Sequence, residues 1–336
     1  PVAEAEVLAG GRPILLPGFI DLHVHGGGGR DTMEGGDAIQ AIAAMHARHG
    51  TTALLATTMT APLDDIQLAM RALAPACAAR SSGGARVLGV HLEGPYINAG
   101  KLGAQPDYVR PPSLPELLAL HALAPIRLVT LAPELPGNLE VIGALAAAGF
   151  RVQVGHTEAD YEQAVAALRA GASGFTHLFN AMSAMHHRAP GAAGAALAHA
   201  TYSEIIPDLL HVHPGAIRAA LRAIPCLYCV TDATSAAGMP DGEYSLGRQR
   251  VTKCMGGVRL ADGTLAGSTL TLDQGLRNLV GLGLTLVEAS ARTATHAADH
   301  LGLAERGRLA PGAWADIVVL DTALELQAVI IEGEAL

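Results

Sequence analysis

Pro17-Gly18-Phe19-Ile20-Asp21-Leu22-His23-Val24-His25-Gly26 is the stretch from which the fold of this 336-residue chain is read. Its apolar run predicts a strand, and alternation across a strand puts His23 and His25 on one face, Leu22 and Val24 on the other. Two imidazoles thus converge at a strand end, where the glycines Gly26 to Gly29 stop the strand and leave space above them. Neutral imidazole is the commonest protein metal ligand. The pair alone is read two ways, as part of a metal site or as polar residues at a strand end, and its context has to decide.

Outward from this stretch, strand and helix patterns alternate. Strands are expected at 51–58, 86–93, 126–132, 151–156, 174–178, 203–209 and 227–232, from β-branched or near-continuous apolar runs. Between them, amphipathic spacing predicts helices over 37–49, 63–80, 114–123, 138–148, 158–170, 189–199 and 214–223. Eight apolar strands, each followed by a helix or an equivalent excursion, specify an α/β fold of the (β/α)8 barrel type. Residues 239–270 break the rhythm, and Asp262-Gly263 between alternating stretches predicts a β-hairpin excursion there. Helices resume over 271–281 and 286–300. The expected organisation is a barrel over 17–304 and a small β domain from 1–16 plus 305–336.

Composition narrows the function. With 16% charged and 50% hydrophobic residues the chain is a packed globule rather than a disordered one. Gly, His and charged residues interrupt every apolar run before it reaches the roughly 20 residues of a membrane span. The acidic start, Pro1-Val2-Ala3-Glu4-Ala5-Glu6, does not read as a secretory leader. A net charge of −9, with Lys101 and Lys253 far apart, argues against a nucleic-acid surface. Cys77, Cys226, Cys229 and Cys254 do not make a secreted disulfide framework. The Cys226-Leu-Tyr-Cys229 pair lies in an apolar strand without a second such pair, so it is expected to be structural. These features point to a cytoplasmic protein.

Chemistry in this fold gathers at the C-terminal ends of the strands. There the chain places His23 and His25, Glu93, His156, His177 and Asp232, on five different strands beyond what scatter would produce. Histidines with one carboxylate make an open, catalytic zinc-type site rather than a closed structural one. Such a metal makes hydroxide available at neutral pH. Asp232 then suits proton traffic from an attacking water to a leaving amine, which implies hydrolysis of a C–N bond.

Pro17 to His25 and Pro311-Gly-Ala-Trp-Ala-Asp-Ile-Val-Val-Leu320 resemble the amidohydrolase superfamily. Within it, His91-Leu-Glu-Gly-Pro-Tyr96, Val154-Gly-His-Thr157, Thr176-His-Leu-Phe-Asn-Ala-Met182, His186-His-Arg-Ala-Pro-Gly191 and Val230-Thr-Asp-Ala-Thr234 resemble the N-acetylglucosamine-6-phosphate deacetylases. The motifs run in order over nearly the whole chain. The resemblance implies a metal-dependent barrel enzyme that releases acetate from a phosphorylated amino sugar, in amino-sugar catabolism. It implies Glu93, His156 and His177 as primary metal ligands and Asp232 as the catalytic acid/base. His23 and His25 match a second metal position that only some members keep, so one or two divalent ions are expected, zinc first and iron or another ion as alternatives; unmetallated histidines are the remaining arrangement.

For substrate, the resemblance points to Ala104, Asn180, Ala181, Arg188, His211 and Leu265-Ala266-Gly267. A planar guanidinium at Arg188 suits a phosphate, and His187 beside it either shares that role or serves a subunit contact. A homodimer, with the Arg188 region near its boundary, is also implied. Two departures stand out. The chain enters its first barrel strand almost at once, leaving the small β domain incomplete at its N-terminal side, and Gln105 stands where relatives often carry histidine. The alternatives are the galactosamine epimer as substrate, another amidohydrolase reaction, or a catalytically silent binding barrel. Ala132-Pro133-Glu134 offers no lysine of the kind a cyclic-amide hydrolase carboxylates, and a silent barrel predicts damaged ligands where all are intact.

Overall fold

The computed structural model describes residues 9–336. Eight parallel strands form the barrel: Phe19–Val24, Thr51–Thr58, Arg86–Glu93, Ile126–Leu131, Arg151–Val154, Gly174–Phe175, Tyr202–Ile205 and Cys226–Cys229. The first six pair side by side in chain order, and the last two pair with each other. Backbone hydrogen bonds complete the ring. Leu178 N–H donates to Glu204 O at 3.0 Å, joining the sixth strand to the seventh, and Asp232 N–H donates to His23 O at 2.9 Å, joining the eighth to the first.

The first strand shows the alternation that its sequence predicts. Ile20 and Leu22 join an apolar cluster with Ala297, Ala298 and Leu301 of the last long helix, while Asp21, His23 and His25 are buried among polar groups. Helices lie between successive strands, and local sequence sets their ends. Tyr161–Ala170, for example, starts at a capping box between Asp160 and Gln163 and stops at Gly171, whose φ of 117° favours glycine.

Two expectations need correction. The excursion after the eighth strand is a three-stranded antiparallel sheet, Gly242–Leu246, Gln249–Cys254 and Gly257–Arg259, rather than one hairpin. Its tight turns fall at Gly247 and Gly256, with φ of 53° and 78°, and the Asp262-Gly263 turn serves only an isolated antiparallel bridge between Arg259 and Leu265. The helix expected over 286–300 is interrupted at Ala291–Thr295 by a wider turn, where the Thr293 hydroxyl donates to Ala289 O and Ser290 O. A β-branched hydroxyl competing for helix carbonyls is the local reason.

Ile14–Pro17 pairs antiparallel with Ile317–Leu320, which pairs with Leu326–Ile331 and then Glu334–Ala335. This is the small sheet expected from the two ends of the chain, of which residues 1–8 lie outside the described residues. Arg306 and Glu332 tie it together. Glu332 accepts from Arg86 at 2.8 Å and Arg80 at 3.2 Å on the barrel side and also pairs with Arg306, which bonds Asp316. All four cysteines are free, and burial pushes the Cys229 thiol up to about 12. No described helix is long and apolar enough to cross a membrane.

Candidate active site

Several strands end earlier than their sequence suggests, and the expected site residues sit just past them. The fifth, sixth and eighth strands stop at Val154, Phe175 and Cys229, whereas His156, His177 and Asp232 follow in left-handed conformation at φ 47°, 28° and 51°. Each such residue costs about 1–2 kcal/mol, and backbone strain of this kind collects at functional sites. Here it turns three side chains from three strands towards a common centre at the barrel mouth.

Glu93 is the hub of that centre. Its Oε1 lies 3.1 Å from His156 Nε2, 3.2 Å from His177 Nε2 and 3.4 Å from His23 Nε2. Its Oε2 lies 3.0 Å from His25 Nε2. Two buried triads, Glu93–His156–His177 and His23–His25–Glu93, therefore share one carboxylate. Asp232 stands on the side of the paired histidines, its Oδ1 at 3.4 Å from His25 Nε2 and 3.5 Å from His23 Nε2.

The donor chemistry fits divalent cations. His156 Nδ1 faces Lys101 O at 2.7 Å and His23 Nδ1 faces Glu204 Oε2 at 3.0 Å. These acceptors assign the ring proton to Nδ1 and leave a lone pair on Nε2 aimed at the centre. Across the centre, His156 and His177 Nε2 are 3.1 Å apart, and His23 and His25 Nε2 are 3.2 Å apart. Facing lone pairs repel at that distance unless a cation or proton lies between them. Among the described residues the Nδ1 atoms of His25 and His177 are buried without a partner, so the centre itself sets the tautomer of those rings.

Charge and hydrogen bonds draw the rings and the carboxylate together. Burial alone would raise the Glu93 carboxyl, but the charges of His23 and His156 and the hydrogen bonds of His156 and His177 hold it well below the carboxylate range. Burial opposes protonation of His156, yet Glu93 raises it above its ordinary value. Gln105 takes part: its Nε2 donates to Glu93 Oε2 at 2.6 Å while its Oε1 accepts Thr60 N–H at 2.7 Å. The amide at that position thus orients the hub.

Above the centre opens a cavity of about 330 Å³, on whose wall lie His25, Glu93, His156, His177 and Asp232. Of the residues expected to meet substrate, Ala104, Asn180, Ala181, His211, Leu265 and Gly267 line it as well. His211 Nδ1 bonds Asp208 Oδ2 at 2.6 Å. Burial would lower the His211 pKa, but Asp208, with the charge of Asp232, raises it. Gly267 sits at φ +62°, and a Cβ there would lie 2.8 Å from Asp232 O.

Three expected residues do not line the cavity. Ala266 is fully buried behind it, packed with Met59, Leu246 and Val258. His187 and Arg188 are exposed and face each other, Arg188 Nη1 at 2.9 Å from His187 Nε2. Residues not foreseen include Met59, Lys101, Leu246 and Thr264 on the wall and Glu204 beneath it. Glu204 lies in the short strand Tyr202–Ile205 beside Ser203, and that mixed sequence does not say which way its carboxylate faces.

Comparison with known proteins places this geometry. A sequence model described as the Amidohydrolase family matches residues 14–336. The N-acetylglucosamine-6-phosphate deacetylase of Lysinibacillus sphaericus is 40% identical, over 98% of this chain and 87% of its own length. An N-acetylgalactosamine-6-phosphate deacetylase of Escherichia coli O157:H7 is 42% identical, over 96% of this chain and 87% of its own. Among solved structures, a mutant N-acetyl-D-glucosamine-6-phosphate deacetylase from Mycobacterium smegmatis, in complex with N-acetyl-D-glucosamine-6-phosphate, superposes with a TM-score of 0.91 at 38% identity. The match covers 96% of this chain and 87% of that one.

Proposed function

We propose, since the chain belongs to the amidohydrolase family, that it hydrolyses the acetamide of N-acetylglucosamine 6-phosphate to glucosamine 6-phosphate and acetate. The observation that carries this reading is the shared hub: Glu93 joins two histidine pairs, and Asp232 stands 3.4 Å from His25 Nε2 at the cavity floor. Glu93, His156 and His177 would hold a primary divalent ion, and His23 and His25 a second one where two are bound. Zinc suits this imidazole and carboxylate set best, with iron or another divalent ion as the alternative. A bound cation of this kind polarises a carbonyl and lowers the pKa of water from 15.7 to about 7.

The chain's own groups do the rest. Asp232 accepts the proton of the attacking water as general base. It then returns that proton to the nitrogen as the C–N bond breaks, so that amine and acetate leave. His211, held by Asp208, is placed to donate a hydrogen bond to the acyl oxygen or a sugar hydroxyl, and Ala104, Asn180, Ala181, Leu265 and Gly267 shape the sugar's seat. Arg188 and His187 supply phosphate contacts at the boundary of a homodimer, which accounts for their exposure on a single chain; Ala266 acts from behind the wall. On this reading 17–304 is the catalytic barrel, 1–16 with 305–336 the small β domain, and the enzyme works in the cytoplasm.

The galactosamine epimer is the second reading, favoured by the 42% identity to the Escherichia coli relative. Acetate release from the two epimeric 6-phosphates, measured together with metal content, separates the two. Turnover of neither would overturn the deacetylase reading.

A further inference from the structure

A third buried group, His23, His91 and Glu204, also has the composition and spacing of a metal triad. Its bonds rule that out as a coordination site. Both His91 nitrogens are engaged, Nδ1 facing Leu22 O at 3.1 Å and Nε2 facing Thr130 Oγ1 at 2.7 Å. Glu204 is fully buried, and its partners are donors. Oε2 receives His23 Nδ1–H at 3.0 Å and His177 N–H at 3.1 Å, and Oε1 faces the Tyr228 hydroxyl at 3.5 Å. Tyr228 is fixed in turn by Gln153 Nε2 at 2.5 Å and His300 Nδ1 at 3.0 Å.

We infer that Glu204 is a positioning residue: by accepting from His23 Nδ1 it fixes the tautomer and aim of His23 Nε2, and so creates the second metal position. Resting on the two-metal reading above, this names what makes that position competent. The same oxygen accepts the backbone N–H of His177, and among the candidate ligands it touches only the His23 ring. An acceptor beneath a ligand imidazole typically tightens metal binding 10- to 100-fold. Other candidate ligands have different supports: His156 leans on Lys101 O, and His25 Nδ1 has no partner. Removing Glu204 therefore acts on the His23 side of the centre.

The test is metal stoichiometry and affinity, measured on wild type, Glu204→Gln and Glu204→Ala after zinc loading and stepwise competition with a chelator. Glutamine keeps an acceptor oxygen for His23 and His177, so E204Q should retain two equivalents. E204A should keep the equivalent at Glu93, His156 and His177 and bind the other about 10- to 100-fold more weakly. Cobalt-loaded protein should show the loss of one of two visible absorption components in E204A alone. If E204A fails to fold, Glu204→Met fills the same length without an acceptor and takes its place. Two equivalents of wild-type affinity in E204A or E204M would overturn the inference and leave the two-metal reading intact. Equal loss in E204Q would also overturn it, since an acceptor would not then suffice. One equivalent in wild type would overturn the two-metal reading itself and this inference with it.

Discussion

Asp232 combines a left-handed backbone, near-complete burial and two imidazole neighbours, a setting in which its geometry is over-determined by its surroundings. Asp232→Asn keeps that geometry and removes the base. It should lower kcat by about 10²- to 10⁴-fold while metal content stays at the wild-type level, and wild-type turnover in this variant would sink the acid/base role. Arg188→Ala tests a different kind of residue, one proposed to bind the phosphate. It should raise KM for the phosphorylated sugar about 10-fold or more with a smaller effect on kcat; an unchanged KM would remove Arg188 from phosphate recognition. The contrast shows what single residues reveal from sequence. His156, His177 and Asp232 were legible because a strand pattern ran straight into them. Arg188 had legible chemistry, but its distance from the cavity is a matter of chain path. Glu204 was hidden because a carboxylate in a strand reads equally well as facing solvent or facing the axis.

Among the elements, the barrel strands and most helices followed from periodicity, because their apolar faces must be buried on a fixed repeat. The excursion after the eighth strand did not. Turns at Gly247 and Gly256 won over Asp262-Gly263, since several glycines there tolerate positive φ and pairing partners, not local propensity, choose among them. The link between barrel and small sheet was invisible too, because it depends on Glu332 meeting Arg80, Arg86 and Arg306 from distant segments. Burial would raise the Glu332 carboxyl, but hydrogen bonds and charge from Arg86 and Arg306 lower it from 4.5 to about 2. A depressed carboxyl stabilises the folded state above its unfolded pKa and loses that contribution as pH falls through its folded one. Thermal melts should therefore show wild type losing stability between about pH 4.5 and pH 2 relative to Glu332→Gln, which should also melt lower at pH 7. Parallel pH profiles for the two proteins would show the link to be neutral.

At the scale of the whole molecule, a metal that binds only the folded chain adds to its stability by mass action. Exhaustive chelation should abolish acetate release and lower Tm by about 4 °C, given about 2.7 kcal/mol at a hundredfold excess over Kd. Zinc should restore both, and magnesium, which prefers oxygen ligands, neither. Full activity in metal-free protein would refute the metal-dependent reading. The small sheet bears on how such a molecule is made. Ile14 to Pro17 leave the ribosome about 300 residues before their partners, Ile317 to Leu320. Until then Ile14 and Leu16, buried in the finished fold, have an open edge and no cover. Such long-range closure is slow, so the strand stays unpaired while the barrel between the two segments is made. Until its partner strand is made, that edge can pair with another chain instead.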